Sequence, residues 1–200
     1  MKFHRLKWRR TALEVLCLVL AAVAAARVGA IRLENWEGPA GSLTNDLFVP
    51  AIMMHAGRGF INIEPSNIPE LRAFLDFRAQ HFDTALITAD TAEIELHPYQ
   101  AFHRYLIYTV AVAWRLFGVT WDAVKILILF YLVAAVWCVY AICRLGMNPL
   151  FSLWASVSFA SASAVTLTLP ILRDFVKAPF ILAVLLLLGL LSSRRVSTRA

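Results

Sequence analysis

Along the 200 residues the apolar positions gather into long blocks. Residues 11–31, 102–118, 122–143, 150–170 and 178–193 are uninterrupted or nearly so. A helix needs about 20 apolar residues to cross the hydrocarbon core of a bilayer, and about 17 at the least. The second and fifth blocks are marginal by that measure and the others are not. The pattern predicts an all-α, polytopic membrane helical bundle with one long polar interval after the first block.

Composition agrees with that class. The chain is 60% hydrophobic and 16% charged, with a mean hydropathy of +0.68, which excludes an ordinary soluble domain. The net charge of +6 does not indicate nucleic acid, because the basic residues cluster at the two ends. Lys2, Arg5, Lys7, Arg9 and Arg10 precede the first block, and Arg194, Arg195 and Arg199 follow the last. The positive-inside rule therefore places the amino terminus in the cytoplasm and the polar interval outside, in a multi-pass protein of the inner (plasma) membrane. That interval, residues 32–101, holds ten acids against four arginines. Cys17, Cys138 and Cys143 all lie in apolar segments and point to no disulfide, metal or redox site.

Block 102–118 admits two readings. Arg104, Tyr108, Ala111 and Arg115 recur at offsets of four, seven and eleven, the stripe of a helix lying in the membrane interface with its arginines toward head groups. An ordinary span whose arginines snorkel from its two ends is the other. A crossing here would put the basic carboxyl-terminal tail outside, so charge favours the interfacial helix and four spans. The predicted organisation is a cytoplasmic tail (1–10), a first span (11–31), an exported loop (32–121) with its interfacial helix at 102–118, three spans within 122–193, and a cytoplasmic tail (194–200). The first block also has the basic start and small residues of a secretory signal, but its length and the downstream blocks favour an uncleaved anchor.

Within the loop, "TNDLFVPAIMMHAGRGFINI" sets one acid before an apolar run. Thr44 or Asn45 is a candidate cap, Asp46 falls in the first helical turn, and Gly57 is a natural stop. An acid there is ordinarily a helix-dipole partner; a catalytic carboxylate is the less common use. Glu34 and Glu37 are the rival acids. A second helix is predicted to begin near Asn67, with Glu70 as a capping-box partner, Arg72 and Asp76 paired at i, i+4, and Leu71, Phe74 and Leu75 as its apolar face. His97 and His103 are six apart with Pro98 between them, so no metal site is indicated, although a divalent cation is left open.

Three ordered features carry a resemblance. They are the acid soon after the first span with its short helix and glycine pair (Asp46 through "HAGRGF"), the "HPYQAFHRYLIYTVAVAWRLFG" segment, and "LRDFVKAPF" between two later spans. In this order the chain resembles the first half of a GT-C type glycosyltransferase, the polyprenyl-phosphate-sugar-dependent membrane enzymes that include protein O-mannosyltransferases and aminoarabinose transferases. It departs from them in having Asn45-Asp46 where paired acids are frequent, and His97-Pro98-Tyr99 where His-Pro-Pro is frequent. The family scaffold also has more spans than this chain, which implies an amino-terminal part of such an enzyme or a reduced relative.

The resemblance implies an inverting sugar transfer on the exported side, with Asp46 as the base that accepts the proton of the attacking acceptor group. It implies a polyprenyl-phosphate-linked sugar as partner, alongside the lipid bilayer. Substrate contacts would come from His97, Arg104, Arg173 and Lys177, whose cations would offset charge on the leaving phosphate. Simpler roles stand beside these: a head-group contact for Arg104, and a solvated turn in which Asp174 sits between Arg173 and Lys177. The competing function is a non-catalytic accessory subunit of an envelope-polysaccharide or export assembly, docking membrane protein partners through its loop. A transporter is weaker, because the only charges well inside spans are Glu14 and Arg27, both near the ends of the first, and no polar ion path is apparent.

Overall fold

The computed structural model describes residues 2–39 and 46–197, and side chains at 11–39 and 46–192. In chain order its helices are α1 (Lys2–Arg32), α2 (Val49–His55), α3 (Pro69–Leu75), α4 (Pro98–Phe102), α5 (Arg104–Phe117), α6 (Trp121–Arg144), α7 (Pro149–Ser161), α8 (Ser163–Thr168), α9 (Leu172–Phe175) and α10 (Ala178–Ser197). Two short strands, β1 (Asn62–Ile63) and β2 (Glu93–Ile94), pair antiparallel with Asn62 opposite Ile94. The chain divides into two compact units: Met1–Glu34 with Ile128–Ala200, and Asn35–Leu127.

The first unit is a bundle of apolar helices. Three segments among the described residues are long and apolar enough to cross a membrane: Thr11–Arg32, Trp121–Arg144 and Leu172–Ser192. Helices α1 and α6 run antiparallel, since Glu14 meets Arg144, the Leu18 carbonyl accepts from Trp137 Nε1 at 3.1 Å, and Gly29 lies against Leu129 and Leu132. Helices α6 and α10 run parallel. Tyr131 packs against Phe180, the Cys138 thiol lies 3.8 Å from the Pro179 carbonyl, and Leu145 lies against Gly189. The intervening chain, through α7 and α8, therefore passes from one end of the bundle to the other.

That passage differs from the single span expected over residues 150–170. The helix breaks at Ala162, whose backbone is extended (φ −61, ψ 138), and resumes at Ser163. Hydroxyls account for the weakness of this region. Ser161 donates to the Val157 carbonyl, Thr166 to that of Ser163 and Thr168 to that of Ala164. Such back-bonding offers the helix's own carbonyls an alternative partner and bends it. Close packing holds the segment nonetheless: α7 runs along α1. The residues buried on each helix are small, Cys17, Ala21 and Ala25 on α1 and Ser152, Ser156 and Ala160 on α7, both at intervals of four. Small residues at that spacing let helix backbones approach where no water drives them together.

The second unit has an aromatic core. Trp121 stacks on Phe74 with ring centroids 4.8 Å apart and meets Phe48, Phe77, Trp114 and Trp36 edge-on. Both buried indoles are satisfied, Trp121 Nε1 donating to the Phe74 carbonyl at 3.0 Å and Trp114 Nε1 to that of Thr120 at 2.9 Å. Against this core α3 buries Leu71, Phe74 and Leu75, the apolar face expected of it.

Three expectations are corrected here. The predicted capping box at Asn67 does not form: Asn67 ends a 3-10 turn capped by Glu64, and α3 begins two residues later behind Ile68, which provides no side-chain cap. Pro69 at the first helical position fits that start, because its missing N–H would be unpaired there anyway. The all-helical expectation omitted the β1–β2 pair. The stripe predicted on block 102–118 is shifted: Arg104, Tyr108 and Arg115 are exposed on α5, but Ala111 is buried and Val112 is exposed instead. At 14 residues, with Leu106, Ile107, Val110, Ala113 and Trp114 buried, α5 is a core helix of this unit and not among the span-length helices.

Candidate acidic site

The predicted cap residues Thr44 and Asn45 lie outside the described residues. Asp46 opens a 3-10 turn, Asp46–Phe48, which runs directly into α2. Leu47 and Phe48 are buried and pin the turn to the aromatic core, leaving Asp46 on the outside with its side chain 54% exposed. Helix α2 then stops where expected. Gly57 adopts φ +80, Arg58 N–H donates to the Met53 carbonyl, and Gly57 N–H to that of Met54, which together form a Schellman stop. The arginine between the glycines has a structural use. Its guanidinium binds the carbonyls of Thr88 and Thr91 and the Glu93 carboxylate at 3.1, 3.2 and 3.4 Å, tying the β2 loop to the end of α2.

The Asp46 carboxylate has a partner that spacing did not reveal. Arg72 Nη1 lies 3.1 Å from Oδ1, and the same guanidinium contacts Asp76 at 2.9 Å in the expected i, i+4 pair. Arg78 completes an alternating line of charge at 3.0 Å from Asp76. The Arg72 hydrogen bond, with a further one from Arg78, holds the Asp76 carboxyl below the usual carboxylate range. Asp46 Oδ2 makes no hydrogen bond among the described residues.

His97 acts locally as the N-cap of α4. Its Nδ1 accepts from the Tyr99 N–H at 3.2 Å, which puts the proton of the neutral ring on Nε2, and Pro98 occupies the first helical position. Gln100 closes the capping box: Oε1 accepts from the His97 N–H at 3.0 Å. Its other end reaches across the unit, Nε2 donating to the Asp46 carbonyl at 2.7 Å. The buried Gln100 thus joins the two loop motifs singled out in the sequence, Asp46 and His97.

Compared with known protein-family models, curated proteins and solved structures, the chain gives no match. Its chemistry is read from the residues alone.

The remaining candidates are placed separately. Arg104 is exposed on α5 and enters no ion pair among the described residues. Arg173 and Lys177 belong to the other unit, each beside Asp174 at 3.4 and 3.8 Å, the charge-balanced turn anticipated for them. Glu34 and Glu37 are exposed. No group of three His, Cys, Asp or Glu side chains among the described residues could hold a metal ion. A cleft of about 480 Å³ in the second unit is lined by Asn67, Glu70, Thr88 and Asp90, and none of the predicted site residues borders it.

Two residues were missed. Gln100 left a readable signal, because "HPYQ" is a cap, a proline and a glutamine at the capping-box interval. Arg72 toward Asp46 left none, since 26 residues separate them.

Proposed function

We propose that the chain is a glycosyltransferase-like integral membrane protein in which Asp46 serves as the base for sugar transfer from a polyprenyl-phosphate donor on the exported side. The observation that carries this reading is the bridge from Gln100, 54 positions beyond Asp46, which joins Asp46 and the His-Pro segment in one hydrogen-bonded unit. The half-exposed carboxylate supports such a role: Arg72 holds one oxygen, and the other has no hydrogen bond among the described residues. Positioned general bases contribute about a hundred- to ten-thousand-fold in rate. His97 is the proposed substrate contact of this unit and Arg104 its proposed phosphate contact; Arg173 and Lys177 are the phosphate candidates of the other unit.

Helix directions support the topology this requires. With α1 and α6 antiparallel and α6 and α10 parallel, the start of α1 and the end of α10 fall at one end of the bundle, which the positive-inside rule would put in the cytoplasm. The Arg173–Lys177 turn, just ahead of α10, then falls at the opposite end of the bundle. That arrangement has four crossings, the third made by the broken α7–α8 segment.

The deciding experiment measures sugar transfer from a polyprenyl-phosphate donor by the full gene product in its native membrane. Asp46→Asn is expected to cut transfer at least a hundredfold while leaving the folded protein abundant; equal rates remove Asp46 from the mechanism. A second reading, a non-catalytic subunit of an envelope assembly, is favoured by the Asp46–Arg72–Asp76–Arg78 line, a common stabilising use of acids. It predicts that Asp46→Asn and Arg72→Gln weaken folding alike and that no transfer is found.

A further inference from the structure

We propose that the outward face of α5, with Phe60 beside it, docks onto a layer of anionic lipid head groups. This does not depend on Asp46 being catalytic, and needs only that α6 spans a bilayer. At about 100° per residue, positions 104, 108, 112, 115 and 116 fall within an arc of about 120°. Every one is exposed, while the opposite arc is buried in the aromatic core. Val112 is 57% and Leu116 71% exposed, a run of large apolar surface that water does not favour. Phe60, on the loop after Gly59, stacks on Tyr108 at 5.3 Å and 15°, so two elements build one platform.

Charge names the occupant. Arg104 and Arg115 stand about 16 Å apart at the two ends of the stripe, and neither enters an ion pair among the described residues. Although the surrounding loop is acidic, α5 itself contains no Asp or Glu. Cations flanking an apolar strip match phosphates lying above an acyl boundary. Chain continuity brings the surface there, because only Gly118, Val119 and Thr120 separate Phe117 from the span-length α6. The end of the strip is thus within about 14 Å of chain from a membrane crossing.

The test uses the full chain in lipid nanodiscs, with Cys17, Cys138 and Cys143 replaced by alanine and a nitroxide placed at position 112, 116 or 92. In discs containing anionic lipid, labels at 112 and 116 are expected to be more accessible to oxygen than to an aqueous nickel chelate, and a label at 92 the reverse. Changing to purely zwitterionic lipid, or introducing Arg104→Glu with Arg115→Glu, should raise nickel accessibility at 112 and 116 several-fold. The proposal is overturned if those labels resemble position 92 in anionic discs, or if lipid charge and the double variant leave them unmoved. Strong dipolar coupling between copies labelled at 112 would overturn it too, assigning the face to self-association.

Discussion

The amide nitrogen of Gln100 donates to the carbonyl oxygen of Asp46 at 2.7 Å, from inside the unit, while its oxygen caps α4 through His97. Replacing Gln100 with leucine removes both part-buried bonds, a loss of about 0.5–1.5 kcal/mol for each. Hydrogen exchange should show faster exchange of the amides of Leu47, Phe48, Val49, Ala51 and Tyr99. Gln100→Glu separates the two ends of the bridge, since a carboxylate still accepts from His97 but cannot donate to Asp46. Only the Asp46 side should loosen.

Asp76 contributes to the acid response of the second unit. Arg72, then Arg78, hold its folded carboxyl below the unfolded value of about 3.9. Its stabilising contribution is therefore complete above that value and is lost as pH falls through the lower folded one. Tryptophan-fluorescence unfolding of the detergent-solubilised protein should show Asp76→Asn less stable than the parent at pH 7. The gap should close below about pH 4, leaving a flatter acid limb in the variant.

Glu14 and Arg144 hold the antiparallel helices α1 and α6 at 2.6 Å, with the Tyr140 hydroxyl also 2.6 Å from the same carboxylate. A lone ionised side chain within a membrane helix costs about 2.5–3.5 kcal/mol. Glu14→Arg should sharply reduce folded protein in membranes, and adding Arg144→Glu should restore much of it. A double swap no better than the single one would show that the pair does not hold these helices together.

Gly57 tests backbone conformation without crowding. Its φ of +80 is costly for side-chain-bearing residues, yet an added Cβ meets nothing within 4 Å. Gly57→Ala should cost about 1–2 kcal/mol from conformation alone. It should expose residues 56–60 to protease before the rest of the chain opens.

What was legible in the sequence followed from strong local physics. Apolar length marked α1 and α6, Gly57 marked the end of α2, and Arg72–Asp76 followed from helical spacing. The failures have equally local causes. Residues 150–170 are apolar enough for one helix, but hydropathy does not register hydroxyls competing for helix carbonyls, so the break at Ala162 was invisible. Asn67 with Glu70 matches a capping box, yet Pro65 and Pro69 impose a 3-10 turn and a later start. The site was only half readable: Asp46 and His97 stood out, while Arg72 and Gln100 reach them through tertiary folding that no spacing encodes.

The interruption at Ala162 also bears on how the protein assembles. In the four-crossing arrangement proposed above, the N–H groups that open α8 after the break would lack helical partners in hydrocarbon, so segment 149–170 would enter a bilayer less readily than an unbroken helix. The small-residue face of α1 is the surface it packs along. Insertion of this segment is therefore expected to be a dependent event, completed on a first helix already in place, and bulky residues at Ala21 or Ala25 should stall biogenesis there rather than at the opening anchor.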